Sequence, residues 1–418
     1  MVLIALALRI AVTPFSSIEG LLNPDHQHCW EQGNVARSLL AGNGFGSFLW
    51  SSQPSAVMPP VFPLIVAASF KIFGIHTPDS IFAVHAFNCA INALACIPIF
   101  LFTRQSFGHR AALWTAWAWV FSPYGIYFSA AWAWSTHLLL LCLCWMVYLA
   151  QKMEHSSRLR LWTGFGLLAG FGGLCEPTGL LVAAALMALA LLRLMLAGKK
   201  WFLPGLVASL ALAAAISPWI IRNALVFHRF IPMRDSMGLE LWMGNNGNNL
   251  HWTSDDHHPL HDMAELADYE RMGELAYMDH KAALAKAYIQ SHPSWYVGMC
   301  IRRAVYIWTG FWSFDQRYLT MEPMDLYNIP YATALSLLAF TGLYFTFRHR
   351  RWEAMRYGAV LLIMPALYYF SHPEPYHLRA LDPMLQMLGC YAILCWQRNA
   401  AILPAPEAIP ASSIAVGD

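Results

Sequence analysis

Charge is what this sequence has least of. Only 12% of its 418 residues are Asp, Glu, Lys or Arg, against roughly 25% in soluble globular proteins. That scarcity excludes an ordinary water-facing surface over most of the chain. Neither sign dominates: 26 basic and 24 acidic residues leave a net charge of +2. Without a basic excess there is no electrostatic footing for nucleic acid, and no nucleic-acid partner is expected. Walker and Rossmann glycine patterns are missing, so a nucleotide ligand has no visible cradle. A disulfide framework is not expected either. Cys89, Cys96, Cys142, Cys144, Cys175, Cys390 and Cys395 lie in apolar runs and read as small buried apolar residues, while only Cys29 and Cys300 fall in stretches expected to be external loops. No internal repeat is visible.

What the chain does have is hydrophobicity, at 58% of its residues. It falls in runs of about the 20 residues that a membrane helix needs. Apolar segments cover roughly 1–14, 80–103, 111–129, 131–150, 161–175, 178–196, 202–221, 329–347, 356–371 and 380–397. The expected fold is an all-α integral membrane protein with about ten transmembrane helices. The 18 tryptophans and 17 tyrosines suit aromatic belts at two membrane surfaces.

Arginine and lysine orient the chain. Arg104 and Arg110; Lys152, Arg158 and Arg160; Arg193, Lys199 and Lys200; and Arg348, Arg350, Arg351 and Arg356 fall in short connections that alternate to one side. The positive-inside rule makes that side cytoplasmic. The other side then receives 15–79, turns near Ser129 and Glu176, the long stretch 222–328, and 371–380. The alternation closes only if 296–312 does not cross. Its central Arg302 and Arg303 would be costly at the midplane, and a helix lying on the outer leaflet suits them.

Four parts follow. Residues 1–221 form an N-terminal transmembrane module with a first external loop at 15–79. Residues 222–328 form an extracytoplasmic region with amphipathic helices, 329–403 carry the C-terminal transmembrane helices, and 404–418 are a low-complexity tail expected to be disordered. Within the external regions, helices are expected at Trp30–Ala41, after Pro59-Pro60 up to Gly74, and at Ala264–Ile289. Inside the membrane, His85, Asn88 and Asn92 share one helical face and point to helix–helix hydrogen bonds. Gly166 and Gly170 have the spacing of a close helix contact.

Residues with possible chemistry gather on the outer side. Asp25 and Glu31 flank the start of the first external helix. Either suits a general base, and both also suit a helix start. Asp255, Asp256, His257, His258, His261 and Asp262 offer metal-ligand types. A divalent ion near His257 and His261 is conceivable, although Asp, His and Pro are ordinary before a helix. His377 and Arg379, and also Arg302 and Arg303, are what a phosphate group needs. Arg379 equally suits a snorkelling anchor. Arg222, Asn245 and Asn246 could line a polar substrate site.

Several of these stretches resemble a known family. The run from Glu31 through Gly42-Asn-Gly-Phe45, the segment Met58-Pro-Pro-Val-Phe-Pro63 to Gly74, Pro218-Trp-Ile-Ile-Arg-Asn223, Gly238–Asn246 and His377–Pro383 follow in order. Together they resemble bacterial GT-C membrane glycosyltransferases of the glycosyltransferase 39-like group, the relatives of protein mannosyltransferases and of the lipid A aminoarabinose transferase. The resemblance implies a GT-C-type bundle with extracytoplasmic juxtamembrane helices in the bacterial inner membrane. It implies inverting transfer of a sugar from a polyprenyl-phosphate donor to a glycan, lipid or protein acceptor, with no cofactor. It implies further that an acid of the first external loop, here Asp25 or Glu31, is the base. Ser135 stands where some relatives carry a second acid. Two other readings compete: a flippase for lipid-linked saccharides, and an inactive member that only binds lipid. A flippase predicts inverted repeats and charged residues along a midplane path, and neither is evident.

Overall fold

The computed structural model describes residues 1–15, 30–49, 53–247, 257–314, 325–371 and 377–397, with 316 and 319. Asp25, His377's side chain, Asp255, Asp256 and the tail from 398 lie outside the described residues. Among those described, every regular element is helical.

The chain opens with α1 (Val2–Val12), extended by a 3-10 turn at Thr13–Phe15. Then come α2 (Glu31–Leu40) and α3 (Val61–Phe73), which begins after Pro60 and stops at Gly74. Gly74 has φ of 96°, a left-handed conformation that costs glycine little. α4 (Pro78–Leu94) starts in a reciprocal capping box between Thr77 and Ser80. With α5 (Cys96–Phe107) it makes one 30-residue apolar rod, about 45 Å long at the helical rise. α6 (His109–Val120) and α7 (Pro123–Ala131) return, broken where Ser122 caps and Pro123 lacks an N–H. α8 (Thr136–Met153), α9 (Leu159–Cys175), α10 (Thr178–Leu196) and α11 (Phe202–Phe227) follow on short connections.

The long polar region folds into α12 (Met237–Gly244), α13 (Met263–Met272), α14 (Glu274–Ser291) and α15 (Pro293–Thr309). The last part holds α16 (Asp325–His349), α17 (Arg351–Ile363) and α18 (Ala366–Phe370). A 3-10 turn at His377–Leu381 then leads into α19 (Asp382–Gln397).

Five of these helices are long and apolar enough to cross a membrane: Pro78–Phe107, Thr136–Met153, Thr178–Leu196, Phe202–Phe227 and Leu326–His349. The chain is a multi-pass membrane protein. The other expected spans are shorter or interrupted. α1 with its 3-10 turn and α9 are shorter apolar helices. The span expected at 111–129 is the broken pair α6–α7. That at 356–371 breaks at Pro365, and that at 380–397 begins as a 3-10 turn before Asp382-Pro383.

Close packing follows the small residues. A Cβ on Gly166 would collide with the Ala208 carbonyl, and one on Gly170 with the Ala215 methyl, so the close contact expected from the spacing is made by α9 against α11. Several buried polar groups are paired across helices. The Arg9 guanidinium donates to Asn92 Oδ1 at 2.7 Å and to the Trp119 carbonyl at 3.0 Å. Asn88 donates to the Trp132 carbonyl at 2.9 Å, and the Asn92 amide sits 3.2 Å from His137 Nδ1. At the opposite helix ends Arg356 meets Glu154 at 2.5 Å.

Candidate active site

Arg222, Arg234 and Glu274 clamp the first polar loop. Arg222, near the end of α11, donates to the carbonyls of Phe45 at 2.7 Å and Ser55 at 2.8 Å. Its guanidinium also lies over the rings of Trp219 and Phe45. Glu274, buried at the start of α14, accepts from the Ala56 N–H at 2.7 Å and from the Tyr269 hydroxyl at 2.9 Å. Burial raises the Glu274 carboxyl, and the bonds from Ala56, Ser55 and Tyr269 oppose that rise. Arg234 donates through Nε to the Val57 carbonyl at 2.8 Å. The loop that leads from α2 to α3 is therefore held on one side by three charged side chains. On the other side, Trp30 donates to the Ala133 carbonyl at 3.2 Å and fixes the start of α2.

Arg234 is the centre of what this clamp encloses. Its guanidinium lies 3.3 Å from Glu240 on α12 and 3.6 Å from Glu176 in the turn between α9 and α10. Burial works against the guanidinium charge, but Glu176, Glu240 and Glu31 hold it above its ordinary value. Glu176 is itself buried. Burial raises its carboxyl, Arg234 pulls it down, and Glu240 pushes it further up. One cation is thus paired directly with two carboxylates, Glu240 and Glu176.

Glu31 forms the reachable edge of this enclosure. It is the first residue of α2, and its Oε1 lies 3.3 Å from His258 Nε2, with side-chain exposures of 15% and 12%. The other ring nitrogen sets the tautomer. The Leu260 N–H donates to His258 Nδ1 at 3.2 Å, so in the neutral ring Nε2 carries the proton and turns it toward the Glu31 carboxylate. A carboxylate held this way keeps a second oxygen free to take a proton from a bound hydroxyl.

A second polar cluster surrounds the start of α19. Arg379 is buried in the 3-10 turn, 3.6 Å from Asp382 and stacked on Tyr124 with 4.9 Å to the ring centre. Gln386, one turn further on, donates to Ser122 Oγ at 2.9 Å, and Ser122 lies 3.3 Å from the Tyr331 hydroxyl.

The remaining candidates fall elsewhere. Arg303 is buried and bolts α15 to its neighbours, donating to the Gly244 carbonyl, to Asn245 Oδ1 at 3.0 Å and to the Phe370 carbonyl at 3.3 Å. Asn245 is buried in the same joint and donates to the Leu241 carbonyl at 2.9 Å. Asn246 donates weakly to the Met243 carbonyl at 3.5 Å, and Arg302 faces outward. His257 lies 3.9 Å from Glu265, the His261 ring lies tilted 5.8 Å from that of His258, and Asp262 caps α13. Among the described residues no group of three or more His, Cys, Asp or Glu is placed to hold a metal ion.

Sequence reasoning missed Arg234, Glu176 and Glu240, and it treated His258 only as one of a run of metal-type residues. Arg234 and Glu240 sit in a polar stretch without a recognisable spacing. Glu176 carried one readable signal: a lone acid in a tight turn between two apolar runs is costly unless it is paired.

Residues 57–221 match the family described as dolichyl-phosphate-mannose-protein mannosyltransferase. Over that stretch, less than half of its length, the chain is similar to that family. The match includes Glu176 and excludes Glu31, Arg234 and Arg379. No curated protein matches the chain. Among solved structures it is 14% identical, at a TM-score of 0.41, to ArnT from Cupriavidus metallidurans bound to undecaprenyl phosphate, over 95% of this chain and 81% of that one. Against the apo form of ArnT the identity is 13% and the TM-score 0.36, over 87% and 72%. The Archaeoglobus fulgidus oligosaccharyltransferase, in complex with zinc and sulfate, is 16% identical at a TM-score of 0.39. That likeness covers 84% of this chain and 43% of the other, so the chain spans less than half of that protein's length.

Proposed function

Starting from a chain that is mannosyltransferase-like over 57–221, we propose that it transfers a sugar from a polyprenyl-phosphate-linked donor to an acceptor at the extracytoplasmic membrane face, with inversion at the anomeric carbon. The observation that carries this reading is Glu31, held by His258 at 3.3 Å on the edge of the enclosure around Arg234. The matched family is described by a polyisoprenyl-phosphate-linked mannose donor, which supports the donor class. A lipid-linked donor keeps its head group at the bilayer surface, and an enzyme that uses it must gather its polar groups at one membrane face.

Glu31 takes the proton of an acceptor hydroxyl as its oxygen attacks the anomeric carbon. The bond from that carbon to the phosphate oxygen breaks, and its electron pair leaves with the polyprenyl phosphate. His258 keeps the carboxylate oriented. Arg379, with its rigid planar fork, stabilises the departing phosphate.

The donor class is tested with the purified protein in nanodiscs. Given a polyprenyl-phosphate sugar and a membrane extract as acceptor source, it should release polyprenyl phosphate as sugar is transferred. Transfer from a nucleotide sugar alone, with no lipid-linked donor consumed, would refute the reading.

A further inference from the structure

We propose that the helix ends opposite the candidate active site form a binding cleft for the phosphate head group of an anionic membrane lipid. The cleft, of about 770 Å³, lies between the end of α8, the start of α9 and the connection that follows α10. Lys152, Arg158 and Lys199 line it, with the Ser156 and Ser157 hydroxyls. α9 runs from this cleft to Glu176, and its 17 residues separate the two by about 25 Å. The two sites therefore stand at opposite ends of one helix.

Among the described residues the cleft's charge is not cancelled locally. The neighbouring carboxylate, Glu154, is buried and taken up by Arg356 at 2.5 and 2.9 Å. Its wall is fixed by backbone contacts. Lys199 donates to the His155 carbonyl and Ser157 to the Lys200 carbonyl, both at 2.8 Å. These bonds tie the α8–α9 connection to the α10–α11 connection and hold the cations around one space. Three cations and two hydroxyls suit the oxygens of a phosphate group.

The surroundings decide between a lipid and free phosphate. Leu161 enters the cleft wall. Leu159, Leu196, Trp201, Phe202 and Leu203 beside it are large apolar side chains left exposed. A free anion gains nothing from that rim, whereas acyl chains cover it while the head group meets the cations.

The test uses the full chain, purified and delipidated in a neutral detergent, then offered equal phosphatidylglycerol and phosphatidylcholine. Native mass spectrometry of the wild type should show preferential retention of phosphatidylglycerol. The triple variant Lys152→Gln/Arg158→Gln/Lys199→Gln should lose that preference by roughly tenfold to a hundredfold. The charge-keeping variant Lys152→Arg/Arg158→Lys/Lys199→Arg should retain it, which separates charge from folding. Equal retention of the two lipids by the wild type, or an unchanged preference in a folded triple variant, would overturn the proposal. So would displacement of phosphatidylglycerol by millimolar inorganic phosphate, which would make the ligand a free anion.

Discussion

Arg234 and Glu176 face each other at 3.6 Å, one from the polar region after α11 and the other from the turn between α9 and α10. They join the membrane bundle to the helices that cover it. Removing the cation leaves the buried Glu176 beside Glu240 with no compensating charge. Arg234→Gln should therefore cost about 3 kcal/mol of stability. Adding Glu176→Gln should recover part of the loss. Thermal unfolding of the two single variants and the double variant in detergent measures this. Additive losses would show that the two side chains are not coupled.

Stability should also depend on the proton at Asp235. Its carboxyl is raised to about 7 by burial first, then by Glu274, with Asp279 also pushing it up and Arg229 opposing. The folded-state value lies above the unfolded one, near 3.8. Its contribution is complete below that lower value and is lost as pH rises through about 7. The unfolding midpoint of the wild type should fall between pH 5 and pH 8 relative to that of Asp235→Asn. Parallel profiles for the two proteins would contradict this.

Arg379 combines a stacked contact on Tyr124 with an ion pair to Asp382. A lysine keeps the charge but lacks the planar fork that meets two phosphate oxygens at once. Arg379→Lys should slow transfer by about ten- to a hundredfold and weaken the binding of a short-chain polyprenyl phosphate. Unchanged affinity and turnover would make Arg379 an anchor for the start of α19.

The membrane orientation has a chemical test. A cysteine in place of the exposed Asp279 should react with an impermeant thiol reagent added outside intact cells. One in place of the exposed Arg160 should react only after permeabilisation. Cys29 and Cys300 are changed to Ser in both. The reverse pattern would invert the topology and move the proposed reaction to the other face.

The helices were legible where a short-range signal specified them. Apolar run length located α8, α10 and α11, and Gly166 and Gly170 announced a close helix contact, though not that its partner is α11. The breaks at Pro123 and Pro365 were written in the sequence as well, but hydropathy averages across a single proline. The candidate site was half legible. Glu31 stands in a readable position at the first residue of a helix. Its partner His258 lies more than 200 positions away, and nothing local in the sequence ties the two together. Arg303 shows the converse limit. An arginine in an outer helix reads as a ligand for phosphate, but here its donors go to the Gly244 and Phe370 carbonyls and to Asn245. Only the folded chain shows which acceptors a guanidinium has already taken.

The most direct measurement is the rate at which purified wild type and Glu31→Gln release polyprenyl phosphate from a polyprenyl-phosphate sugar as the sugar is transferred. Glutamine keeps the shape and can still meet His258, but it cannot accept the hydroxyl proton. The wild type should turn over, and Glu31→Gln should be slower by about 10²–10⁴-fold with donor binding largely kept. A Glu31→Gln protein that transfers sugar at the wild-type rate would contradict the assignment of Glu31 as the base.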